Sequence, residues 1–237
     1  MKSRDPWLAL RGANFMDGLK QFKDNYDKDA TAAHTMELGV AYLWLQQYEN
    51  AWAHFRKAIT QFPSSMSSFY GMAGTAKWCL GGIDEAIRQW QNGLDCEYAD
   101  TNGLGVHLPL LLFSGSVLSP GSYETDTAIM LLKEKAKGYR IEDWPGPIAR
   151  MVLGELSETE IQKECASADL LENQERQWLI SFYDGVISYA DGERARFVGI
   201  MKRLADTCRA EWSNQEFFLS RMWTEEFFLA RTEANKP

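Results

Sequence analysis

The chain is poor in the residues that hold metals and disulfides, with four cysteines and three histidines among 237 residues. Cys79, Cys96, Cys165 and Cys208 stand far apart, without the paired spacings that grip zinc or make a redox dithiol. They read as buried thiols. No stretch of about 18 apolar residues is present to span a bilayer, and no apolar run follows Met1–Asp5 to form a signal peptide. The expected location is the cytoplasm, with no membrane partner. Positive charge is scarce as well: 25 Lys and Arg against 33 Asp and Glu leave a net charge of −8. A nucleic-acid backbone needs the opposite field, so nucleic acid is excluded as the main partner and a basic protein is favoured.

What is present is an ordinary globular composition, 45% apolar and 24% charged, with ample material for a core. That material is arranged in repeats. From Ala32 the chain reads Leu38, Gly39, Tyr42, Ala51, Phe55, Ala58 and Pro63. Gly39 and Ala51 are small where two helices approach, Tyr42 and Phe55 fill the gap, and Pro63 stops the second helix. A second copy keeps the register with Tyr70, Ala73, Gly74, Ile83, Ala86, Trp90 and Gly93. Its turn, Gly81-Gly82-Ile83-Asp84, echoes Gln46-Gln47-Tyr48-Glu49, and Lys77 stands where an aromatic is usual. Both copies resemble the tetratricopeptide (TPR) helical hairpin, a unit of about 34 residues. The resemblance implies an all-α fold: a right-handed superhelical stack of antiparallel helix pairs, a TPR-like α-solenoid, closed by a C-terminal capping helix.

The pattern continues in weaker form. Leu104–Val117 and Thr125–Lys137 read as a helix pair joined by Ser119-Pro120-Gly121-Ser122. Trp144-Pro145-Gly146-Pro147 opens a shorter pair, its second helix capped reciprocally by Ser157 and Glu160. Gln174–Tyr189 and Glu193–Cys208 flank the turn Ala190-Asp191-Gly192, with Gly185 as the small interhelical residue. A last helix is expected from about Asn214 to Ala230, in which Glu216–Arg221 recurs as Glu226–Arg231. Its phenylalanines seal the stack or offer an aromatic patch to a partner. The expected organisation is one domain over 1–237. It has an N-terminal helix (5–29), TPR units at 32–63 and 67–98, degenerate pairs at 104–138, 144–170 and 174–208, and a capping helix at 214–231. From Trp144 to Glu233 the tail resembles that of bacterial TPR lipoprotein-type proteins, whose WP…LG.LSE hairpin precedes a FY.G…GD hairpin. Asp184 stands where that family has an apolar residue, and the family's membrane role does not carry over without its lipid-bearing Cys.

Catalytic constellations are missing. His34, His54 and His107 fall in different helices without a companion at metal-ligand spacing, and read as surface or capping residues. The sequence has no GxSxG elbow, phosphate loop or dinucleotide turn. Adjacent acids such as Glu142-Asp143 and Glu225-Glu226 point about 100° apart on a helix and make no acid/base dyad. No catalytic residue, metal or cofactor is expected, and the protein reads as no enzyme.

Two surfaces are candidates for a partner. In the family resembled, the first helix of each pair lines a concave wall, which marks Met36, Val40, Leu43 and Trp44 in the first unit and Thr75 and Trp78 in the second. The two tryptophans are the anchors. Lys and Arg are missing from these positions, which disfavours a clamp for a peptide carboxylate. The second surface is acidic: between Glu155 and Glu175 seven acids, led by Glu155, Glu158, Glu160 and Glu164, stand against Lys163 alone. Such a run steers a basic protein. The function indicated is a non-catalytic protein–protein interaction module, most concretely an intracellular immunity protein that neutralises a cognate bacterial toxin. The alternative is an adaptor or assembly chaperone holding a helix or peptide of a larger complex. The chain is expected to be a monomer or weak homo-oligomer.

Overall fold

The computed structural model describes residues 15–62, 66–94, 96, 105–137, 141–164, 166, 169–207 and 215–225. Residues 5–14, Pro63, Leu104, Cys165, Cys208 and Glu226–Arg231, and the side chain of Glu158, lie outside the described set. Among the described residues there are twelve helices and no strand. They are α1 (Phe15–Lys28), α2 (Ala32–Trp44), α3 (Tyr48–Gln61), α4 (Met66–Cys79), α5 (Ile83–Leu94) and α6 (His107–Leu118). The remainder are α7 (Thr125–Lys135), α8 (Gly146–Val152), α9 (Glu158–Glu164), α10 (Leu170–Ala190), α11 (Arg194–Thr207) and α12 (Gln215–Glu225). Within each unit most consecutive helices pack on one another, as expected of stacked hairpins. The described residues gather into two compact units: those of Met1–Ala99 with Gln215, and those of Asp100–Cys208 with Glu216–Glu225.

In the first unit α1 packs on α2, α2 on α3, α3 on α4 and α4 on α5. The Thr31 hydroxyl caps α2 by accepting the His34 N–H at 3.1 Å. Leu19 and Phe22 of α1 close over Leu38 and Ala41 of α2. Each hairpin is then held by a glycine set against a ring. A Cβ on Gly39 would fall 2.5 Å from Phe55 Cζ, and one on Gly74 would fall 2.5 Å from Trp90 Cδ1 and 2.9 Å from the Ala86 carbonyl oxygen. No side chain fits there, so the spacing of small and large residues read from the sequence is a contact requirement. The α4–α5 turn places Gly81 at φ 77°, a left-handed conformation that glycine adopts without steric cost. The α2–α3 turn puts Gln46 at φ 57° instead.

The second unit is centred on α6, in which every residue from Leu108 to Leu118 is buried. A helix apolar on all sides has to be covered on all sides, and α7 and α10 both pack on it. The expected capping box is present: Glu160 N–H donates to Ser157 Oγ at 3.3 Å, and Ser157 N–H to Glu160 Oε2 at 2.8 Å. α10 begins at Leu170, a turn earlier than Gln174, because the Asp169 carboxylate accepts the N–H groups of Leu171 and Glu172 at 2.8 and 2.9 Å. Asp184, the polar departure from the resembled family, receives both of its 2.9 Å bonds from Arg196 Nη2 and so ties α10 to α11. Gly185 repeats the close approach, since a Cβ at this position would fall 2.8 Å from Met201 Cε.

These contacts predict opposite outcomes for two glycine-to-alanine changes. In Gly74→Ala the overlap with Trp90 and the Ala86 backbone should outweigh the better helix propensity and destabilise by about 1–3 kcal/mol. Gly199→Ala on α11, whose Cβ would meet only Arg203 Nη1 at 4.0 Å, should stabilise by about 0.5–1 kcal/mol. Urea unfolding of the two variants beside the parent measures both.

Candidate functional site

The six groove residues occupy two neighbouring helices, as expected, but they do not form an open wall. Val40 and Leu43 on α2, and Thr75 and Trp78 on α4, are all buried. The cause is the number of neighbours: α2 touches α1, α3 and α4, and α4 touches α2, α3 and α5, so the sides assigned to a partner are taken by helices. Trp78 stacks on Trp90 with centroids 5.6 Å apart, and the Thr75 hydroxyl donates to its own helix at the Gly71 carbonyl, 3.1 Å away. Of the six, only Met36 and Trp44 keep partial exposure. The buried four are packing residues, which corrects their reading as a contact surface.

The acidic face differs. Glu155, Glu160, Glu164, Asp169 and Glu172 are all exposed on or beside α9 and the start of α10. Part of their charge is answered locally: Arg150 donates to Glu164 at 2.9 Å, and Arg176 to Glu172 at 2.5 Å. Glu160 is held below the usual carboxylate range by the hydrogen bonds from Ser157. Among these acids stand two side chains absent from the sequence argument, Leu170 and Leu171, 70% and 47% exposed. Exposed leucines are ordinary singly; here two adjacent ones stand beside exposed acids in the sequence.

The histidines separate. Against Asp29, the His34 ring lies with Nδ1 2.7 Å from the carbonyl oxygen, while His54 Nε2 donates to the Thr35 carbonyl at 3.0 Å. Burial holds His54 below its ordinary pKa, with Lys57 adding to the effect and the Thr35 bond opposing it. It is a neutral packing residue among Tyr26, Tyr42 and Phe55. His107, at the start of α6, meets Glu216 of α12 at 3.2 Å, and the Tyr183 hydroxyl of α10 donates to the same Glu216 oxygen at 2.7 Å. Glu216 is 2% exposed, and its second oxygen has no hydrogen-bond partner. Burial by itself raises its pKa; attraction to His107 and the bonds from His107 and Tyr183 outweigh this and leave it below the usual carboxylate range. Tyr183 is pushed far upward, chiefly by burial and then by the Glu216 charge, and is a neutral donor. Sequence reasoning missed this cluster because its members are widely separated along the chain. The one available signal was an acid opening an aromatic helix.

No group of three His, Cys, Asp or Glu among the described residues is placed to hold a metal, and no described helix is long and apolar enough to cross a membrane. Cys79 is buried, Cys96 is half-buried, and neither forms a disulfide. No family model and no curated protein matches the sequence.

The Glu216 cluster has a pH signature. A carboxyl whose pKa is lower in the folded chain stabilises above its unfolded value, about 4.3, and that stability is lost as pH falls through the lower folded value. Tyr183→Phe should therefore cost about 1–3 kcal/mol at pH 7 by leaving a buried carboxylate short of a donor. The difference should shrink as pH falls below the ordinary carboxylate value of about 4.3 and Glu216 takes up a proton. Thermal melts of both proteins across pH 3–8 would show a constant gap if Glu216 were not the origin.

Proposed function

We propose that this protein is a non-catalytic recognition module, a TPR-like right-handed stack of helix pairs, that works in the cytoplasm as an immunity protein against a basic toxin. The observation that carries the reading is the Leu170–Leu171 pair, exposed at the start of α10 in a stretch whose acids Glu155, Glu160, Glu164, Asp169 and Glu172 are exposed as well. Apolar surface contributes about 25 cal/mol per Å² once covered, while rim charge of one sign speeds the approach of an oppositely charged partner. A basic protein with an apolar ridge meets both conditions. The burial of Val40, Leu43, Thr75 and Trp78 supports this face over the groove. An adaptor built on the same face is the alternative, distinguished by rapid exchange among several partners rather than slow release of one.

The reading predicts that cells killed by a basic toxin encoded beside this gene survive when the chain is co-expressed. In the double variant Leu170→Ser, Leu171→Ser, protection should fail and toxin affinity should fall by at least about thirtyfold. Because both side chains face water, the melting temperature should hardly move. Undiminished killing in the presence of the parent protein rejects the immunity role.

A further inference from the structure

An open cleft of about 480 Å³ lies on the first unit where α3, α4 and α5 meet. Pockets of about 300–1,000 Å³ are the usual size for small ligands. Trp52, Arg56, Ile59, Tyr70, Lys77 and Glu85 are among its lining residues. Arg56 and Lys77 come from different helices yet converge on one indole: Lys77 Nζ lies 4.6 Å from the centre of the Trp52 ring and Arg56 Cζ lies 5.5 Å from it. Neither cation forms an ion pair among the described residues. The acid of the lining, Glu85, is already engaged: Arg88 donates to Oε2, and Gln89 Nε2 donates to Oε1 at 2.6 Å. Two like charges are thus gathered without an ion-pair partner of their own, the lining carboxylate Glu85 being paired with Arg88, in a chain whose net charge is −8.

Mutual repulsion opposes such an arrangement, and the attraction of each cation for the indole face offsets it. The indole therefore favours positions of both cations at the cleft. Cations held in place in this way lose less freedom when an anion arrives. Beside them Tyr70 and Ile59 supply an aromatic and an apolar wall.

We propose that this cleft binds a small organic anion, its carboxylate or phosphate group between Arg56 and Lys77 and its flat or apolar body against Tyr70 and Ile59. The site shares no residue with the acidic face and does not depend on the immunity reading.

The test is a titration of the full chain, labelled with ¹⁵N at tryptophan, following the Trp52 indole N–H assigned through Trp52→Phe. Benzoate, adenosine 5′-monophosphate and inorganic phosphate are the probes. A saturable shift with benzoate or the nucleotide, weakened by added salt, is the expected result, and which of the two binds more tightly tells the carboxylate source from the phosphate source. Arg56→Met and Lys77→Met should each weaken binding about tenfold. Lys57→Met removes an exposed cation of α3 outside the cleft and should leave binding unchanged. The proposal is overturned if neither organic anion saturates by about 10 mM, if phosphate alone binds as tightly as both, or if Lys57→Met weakens binding as much as the cleft variants. The salt dependence of the parent chain keeps the test decisive should a variant fail to fold.

Discussion

Both units depend on one kind of contact: a large side chain of one helix laid on the bare backbone of its hairpin partner. Phe55 rests on Gly39, Trp90 on Gly74, and Met201 with Ile200 on Gly185. Interiors are packed as densely as organic crystals, so a void or an overlap at such a point is not absorbed by its surroundings. The glycine gives up helix propensity, roughly 1 kcal/mol relative to alanine, and the close approach recovers it by letting Trp90 and Phe55 bury fully. Because each hairpin closes on its own contact, α10–α11 makes the same kind of close approach as α2–α3 and α4–α5 with few of their other residues.

Burying rings with polar tips creates a second requirement, which is met across the same hairpins. Trp90 Nε1 donates to the Gly71 carbonyl, Trp178 Nε1 to the Leu204 carbonyl, each at 3.0 Å, and His54 does the same at Thr35. Each bond joins the two helices of one pair, so a polar atom that would be costly unpaired instead fixes the register of the helices. Glu216 stands outside this set of neutral donors. It is a buried acid satisfied on one oxygen by Tyr183 and His107 while the other has no partner. Removing a donor from a buried charge is far more damaging than the net worth of the pair implies, which makes the attachment of α12 sensitive to charge.

Surface chemistry is separated from this framework. Four of the six positions that the resemblance assigns to binding, Val40, Leu43, Thr75 and Trp78, are consumed by packing, since α2 and α4 each have three helical neighbours. Two surface features outside this framework differ in sign: cations on Trp52 in the first unit, and exposed carboxylates near Leu170 and Leu171 in the sequence of the second. Neither feature disturbs a helix contact, so each is free to be tuned by exposed side chains without repacking a core.

Helices, turns and their order were legible from residue types, because capping, left-handed turns and small-on-large contacts are local and repeat at fixed spacing. The Ser157–Glu160 box, the Gly81 and Gly192 turns and the Gly39, Gly74 and Gly185 approaches were all readable in this way. Lys77 was visible only as a departure from the repeat, and its place over Trp52 emerges once α3 and α4 lie side by side. Likewise, whether Val40 or Trp78 faces a partner or a neighbouring helix depends on how many helices surround α2 and α4. Periodicity along one chain says that a face is apolar; it cannot say what covers that face, because covering is a property of elements brought together in space.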